Sequence, residues 1–203
     1  AETAHPAQKR YLDSTVPRAI HRASRVIAVS EATRADVVEI YGVKPELVHV
    51  VHNGLDPFFS EASSDDSLRR ARQLIGSIPL IALSVGTVQP RKNLAAMAAA
   101  VGLARKRGFD IHFVHAGAEG WLSDRVHSGV AEVDDGFVHF LGHVDDRVLK
   151  ALYELADVTL AVSKAEGFML PIIESMAIGT PVVTSDVSSM PEVAGSAALL
   201  ASP

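Results

Sequence analysis

The 203-residue chain has no cysteine. That excludes disulfides, thiolate metal sites and a thiol nucleophile, and it fits a reducing compartment. Aromatic residues make up only 5% of the chain, which leaves few platforms for stacking single-stranded bases. The formal net charge is −5, so no broad field attracts polyanions, and nucleic acid is not an expected partner. No apolar run approaches the ~20 residues that span a bilayer. The opening stretch AETAHPAQKRY lacks the charged head and apolar core of a signal peptide. A soluble, cytoplasmic protein is therefore expected. There is no P-loop, no G-x-G-x-x-G, no G-x-S-x-G elbow and no Asp-x-Asp. The pairs His49/His52 and His112/His115 have H-x-x-H spacing but fall in expected strands, where i and i+3 point to opposite faces. No metal is expected.

Against these absences stands a 48% apolar content, enough for a substantial core. Residues 7–23 have a helical pattern that Pro17 is expected to kink or divide. RVIAV (25–29) and LVHVVH (47–52) read as strands around a helix, EATRADVVEIY, with Ser30 at its N-cap and Gly42 at its stop. HNGLDPFFSEASSDD is the most linker-like stretch. Beyond it, strand-like runs at 79–85, 110–116, 137–141, 157–162, 181–184 and 197–200 alternate with mostly helical segments, the clearest at 93–107 and 145–155. Several strands are apolar throughout, as when helices cover both faces of a parallel sheet. The pattern is that of a doubly wound α/β domain, in which ligands bind outside the carboxyl ends of the strands. The loops GTVQPRKN, GAEG, GHVDD and SKAEGFMLP should then share one rim.

In GTVQPRKN (86–93), Gly86 stands at a strand end and Arg91 and Lys92 stand just before a helix. A helix start supplies unpaired N–H donors, and the two cations suit phosphate oxygens. The same pair could equally be solvated cations at a helix start. SKAEGFMLPIIESMAIGTPVV (163–183) is more specific. Glu166 follows a strand, Gly167 frees the backbone, Pro171 suits a first helical turn and Glu174 lies eight positions after Glu166. Residues 167–170 can offer amides to an anion while the carboxylates accept hydroxyl protons. Otherwise Glu166 is merely exposed and Glu174 favours a helix N-terminus through the dipole.

The stretch SKAEGFMLPIIESMAIGTPVVTSDVSSMPEVAG resembles the signature of the family-4 retaining glycosyltransferases. GTVQPRKN, GHV and VSEATR…HNGLDPFF match the same family in order and approximate spacing, from about residue 20 onward. The resemblance implies the C-terminal half of a GT-B fold, Rossmann-like and doubly wound. Residues 1–52 would be the last elements of an acceptor domain, 53–66 a linker crossing between domains at Asn53 to Asp56, and 67–203 the nucleotide-sugar domain. The chain would be partial, stopping before the helices that close that domain. On the same grounds Arg91 and Lys92 neutralise the donor diphosphate, Glu166 meets the transferred sugar, and Glu174 grips the ribose. Gly86, Thr87, Gly167, Phe168, Met169 and Leu170 lie along the donor, with His143 and Val144 at the base. Met169 departs from the glycine common in the family, which puts the sugar's detailed placement in question.

The implied reaction moves a sugar from a GDP- or UDP-sugar to a carbohydrate or glycolipid hydroxyl with retained configuration, without cofactor or metal. Work at the inner face of a membrane is compatible with it. The alternatives are a GT-B-like sugar-nucleotide epimerase and a non-catalytic nucleotide-sugar-binding module.

Overall fold

The structure is a computed structural model, described for residues 6–203 except the side chain of Gln8. The first five residues of the expected 1–52 unit lie outside the described residues. Helix α1 (Pro6–Arg22) runs through Pro17 without dividing. Proline removes one helical donor, the one that would meet the carbonyl of Asp13. That position is exposed, so water can take the donor's place.

Strand β1 (Val26–Ala28), helix α2 (Glu31–Tyr41) and strand β2 (Val48–Val50) form a β-α-β unit with its own small core of Ala28, Val43 and Val48. The strands are parallel. Both are shorter than their apolar runs, so His52 lies beyond the strand expected to hold it. Helix α2 begins at the expected cap, with Ser30 Oγ accepting from Thr33 N, and ends at Gly42, whose φ of 65° is left-handed.

The expected linker is partly ordered. A 3-10 turn occupies Pro57–Ser60, and α3 (Asp65–Ile75) starts from a Ser64 cap. Then follow β3 (Leu80–Val85), α4 (Leu94–Lys106), β4 (Ile111–Ala116), α5 (Ser123–Ala131), β5 (Val138–Phe140) and α6 (Asp146–Leu155). The chain continues through β6 (Val158–Ala161), α7 (Leu170–Ile178), β7 (Val182–Ser185), α8 (Met190–Ala194) and β8 (Leu199–Ala201). Among the described residues, no helix is long and apolar enough to cross a membrane.

Strands β3 to β8 form one parallel sheet in the order β5-β4-β3-β6-β7-β8. Alternate strand residues feed opposite layers. Ile81, Leu83 and Val114 pack with Ala71, Ile75, Ala151 and Leu152 of α3 and α6. Ala82 and Phe113 pack with Leu94, Met97, Val101 and Val126 of α4 and α5. Both faces are thus covered, which explains why these strands are apolar throughout. The winding reverses between β3 and β6, so the loops that leave these two strands stand side by side at the carboxyl edge.

Candidate functional site at the switch point

The loop after β3 closes in a 3-10 turn, Pro90–Lys92, and Asn93 takes a left-handed φ of 61° before α4 begins. It is sewn to the loop after β6 by Lys164 N donating to Arg91 O at 2.9 Å. Arg91 and Lys92 therefore reach Glu166. The Arg91 guanidinium pairs with Glu166 Oε2 and also donates to Ala165 O at 2.6 Å. Lys92 Nζ lies 3.0 Å from Glu166 Oε1, as an ion pair without good hydrogen-bond alignment. Burial works to raise the Glu166 pKa, but the Lys92 charge and the contacts from Arg91 and Lys92 outweigh it and hold the carboxyl below its ordinary value.

Lys92 is itself buried, at 8% exposure. It lies against Gly86, where a Cβ would come within 2.8 Å of Lys92 Cε and 2.9 Å of Nζ. Gly86 is thus needed both for its φ of 133° and for the space the lysine stem fills. Thr87 follows it, exposed at the rim.

Past Glu166 the backbone is tied down. Glu166 O accepts from Ser188 Oγ at 2.7 Å and Ser189 Oγ at 3.0 Å, and Glu166 N lies 3.2 Å from Ser188 Oγ. Phe168 is buried, Leu170 is 40% exposed, and Met169 is left-handed with a φ of 80°. This conformation explains the glycine expected there. Met169 instead buries its side chain in the α7–α8 core, with its sulfur 3.6 Å from Lys92 Nζ. The strain of a non-glycine residue in this region is held by the surrounding packing.

Glu174 lies in the second turn of α7, one turn later than expected, because the helix begins at Leu170. Its Oε2 accepts from Tyr153 Oη at 2.8 Å. Burial raises the Glu174 pKa, the Tyr153 bond opposes this, and Asp146 and Lys92 act in opposite directions. Lys92 therefore acts electrostatically on both Glu166 and Glu174. Glu174 also borders an open cavity of about 790 Å³ with Asp56, Phe58, Asp145 and Asp146. His143, exposed, and Val144, half-buried, lead into α6 beside this cavity. Sequence reasoning did not single out Tyr153, Ser188 or Ser189. For Tyr153, a fully buried hydroxyl that must find a partner is the usable signal.

Among the described residues no group of three histidines, aspartates or glutamates stands close enough to hold a metal. His112 instead contacts His139 at 2.9 Å across neighbouring strands. His115 is fully buried at the end of β4, with no well-formed hydrogen bond to either ring nitrogen. Burial pushes its pKa down to about 4, partly opposed by the Gly86 backbone. Its folded value lies below its unfolded one, so the unfolded chain binds more protons as pH falls from about 6.5 towards 4. Stability should drop across that window, by ~3 kcal/mol from this group. Unfolding in denaturant at several pH values should show a flatter acid limb for His115→Leu than for the native protein.

Two parallel-wound halves meeting at a charged rim define a doubly wound α/β domain. The model of "Glycosyl transferases group 1" matches residues 79–203, and that of "Glycosyltransferase Family 4" matches residues 2–58. The chain belongs to the group 1 glycosyltransferases. It is 29% identical over 202 residues to O-antigen chain mannosyltransferase B of Escherichia coli, covering 98% of this chain and 53% of that protein. A phosphatidyl-myo-inositol mannosyltransferase of Propionibacterium freudenreichii is 32% identical over 188 residues, covering 91% of this chain and 44% of the relative. The chain spans about half the length of the curated relatives it matches. Among solved structures, Anabaena HepE in complex with UDP and glucose superposes with a TM-score of 0.78 at 23% identity, over 98% of this chain and 55% of that one. Sucrose-phosphate synthase of Thermosynechococcus elongatus does so with a TM-score of 0.77 at 25% identity, over 98% and 51%. Neither the epimerase nor the non-catalytic alternative finds support among these.

Proposed function

We propose that this chain is the donor-binding part of a retaining glycosyltransferase that moves a sugar from a nucleoside diphosphate sugar to an acceptor hydroxyl. The carrying observation is the triad of Arg91, Lys92 and Glu166 at the switch point, two cations sharing one carboxylate. Its residual positive charge suits a diphosphate, whose charge grows as the glycosidic bond breaks. Preplaced cations stabilise that growth with no reorganisation at the moment of reaction. The reading therefore includes no resident metal.

Glu174, steadied by Tyr153, is assigned to the ribose, and Glu166 with loop 167–170 to the transferred sugar. The base would lie along His143 and Val144 beside the Glu174 cavity. HepE, solved with UDP and glucose, and the two mannosyltransferases support a hexose on a nucleoside diphosphate and a polysaccharide or glycolipid acceptor. GDP and UDP both remain within the proposal, as does work at the inner face of a membrane. Residues 1–52, whose described part holds the separate small core of the β1–α2–β2 unit, are proposed as acceptor-side elements.

Titration with nucleoside diphosphate and with pyrophosphate tests the ribose assignment. Glu174→Gln should weaken the nucleotide by about tenfold, the scale of one charge-assisted hydrogen bond, and leave pyrophosphate nearly unchanged. Equal losses for the two ligands would reassign Glu174.

A further inference from the structure

Ser30 does more than cap α2. Its Oγ donates to Gly167 O at 2.7 Å, and Thr33 Oγ1, one turn on, donates to the same carbonyl at 3.2 Å. These bonds cross from the β1–α2–β2 unit to the loop after β6, 137 and 134 residues away in sequence. They are part of a wider seam. A Cβ on Gly167 would sit 3.5 Å from Val29 Cγ2, and the Phe168 ring lies 5.8 Å from the His52 ring. From the other side, Glu192 of α8 accepts from Glu31 N at 2.8 Å and Ala32 N at 3.3 Å, and its Oε1 lies 2.7 Å from His52 Nε2. The first amides of a helix have no partner inside it, and here a carboxylate of the other unit satisfies two of them.

We propose that Ser30 and Thr33 are positioning residues for sugar transfer, holding the Gly167 carbonyl from the neighbouring unit and thereby aiming the donor loop. The trans peptide is planar, so fixing one carbonyl fixes the direction of the next N–H. With Gly167 O turned onto α2, the Phe168 N–H points the opposite way. Ser188 and Ser189 do the same for the Gly167 N–H by holding Glu166 O. Among the described residues neither of these two amides has a hydrogen-bond partner. One of the two anchors belongs to the donor-binding sheet, and the other arrives only when the β1–α2–β2 unit is docked. Loop geometry thus depends on contacts from both units, with Glu192 holding the start of α2 by its first amides. The inference rests on the assignment of loop 167–170 to the transferred sugar.

The test uses the intact protein with the variant Ser30→Gly/Thr33→Val. Glycine is tolerated at an N-cap nearly as well as serine, so α2 keeps its start, and valine keeps the shape of threonine. The turnover number should fall roughly tenfold, the scale of one to two hydrogen bonds, while affinity for free nucleoside diphosphate changes less than about twofold. Returning one hydroxyl, as Ser30→Gly/Thr33→Ser, should recover part of the turnover. A turnover number unchanged in the double variant, or an equal loss of nucleoside diphosphate affinity, overturns the proposal. Arg91→Ala in parallel separates the two levels. If Arg91→Ala spares nucleoside diphosphate binding, the site assignment itself fails. If Arg91→Ala weakens binding while the double variant transfers normally, only the positioning role is lost.

Discussion

Replacing Arg91 with alanine is expected to weaken binding of a nucleoside diphosphate by ~1.5–3 kcal/mol, the range for losing a hydrogen bond to a charged group. The structure gives the arginine two tasks. Its guanidinium pairs with Glu166 and also holds the Ala165 carbonyl at 2.6 Å. Removing it lowers the positive charge of the triad and frees the start of the loop after β6. Arg91→Lys should restore only part of the loss, because an ammonium is a point charge and lacks the planar fork that serves two acceptors at once. Calorimetric titration with GDP and UDP reads both variants and would show which base is preferred. Affinity equal to that of the native protein would place Arg91 outside the site.

Glu166→Gln should separate binding from transfer in opposite directions. The triad carries two positive charges and one negative, and the amide removes the negative one without changing shape. Free nucleoside diphosphate should then bind severalfold more tightly, a gain on the order of 1 kcal/mol with water in the open cleft screening the charges. Turnover should fall by about tenfold or more, because glutamine accepts a sugar hydroxyl more weakly than a carboxylate does. Tight product binding beside slow transfer is a combination that general unfolding cannot produce. Loss of both together would mean that Glu166 serves only to hold the loop.

The strand and helix alternation is legible in the chain because each strand of a sheet covered on both faces must be apolar throughout. The rim loops follow from it directly, and Arg91, Lys92, Glu166 and Glu174 can be singled out without coordinates. Strand order is not legible, since apolar runs such as 79–85 and 157–162 carry no mark of which neighbour they pair with. Sequence reasoning therefore assigns Glu166 to hydroxyls alone, whereas its two oxygens face Arg91 and Lys92. The left-handed conformation of Met169 escapes sequence reasoning for a similar reason. Only the packing of its side chain against α8 and Lys92 makes a non-glycine residue tolerable there. Pro17 does not divide its helix, because an exposed helix can surrender one hydrogen bond to solvent.

The pairing of β3 with β6 also bears on how the protein acquires its shape. Ala82 aligns with Val158 and Leu83 with Thr159, so this one junction closes a loop of more than seventy residues, whereas β3 meets β4 across about thirty. Contacts distant in sequence carry an entropic cost that must be met before they stabilise anything, and they are slow to form. The local β-α-β units close short loops on each side, whereas the contact of Arg91 with Glu166 spans as long a stretch of chain as that junction.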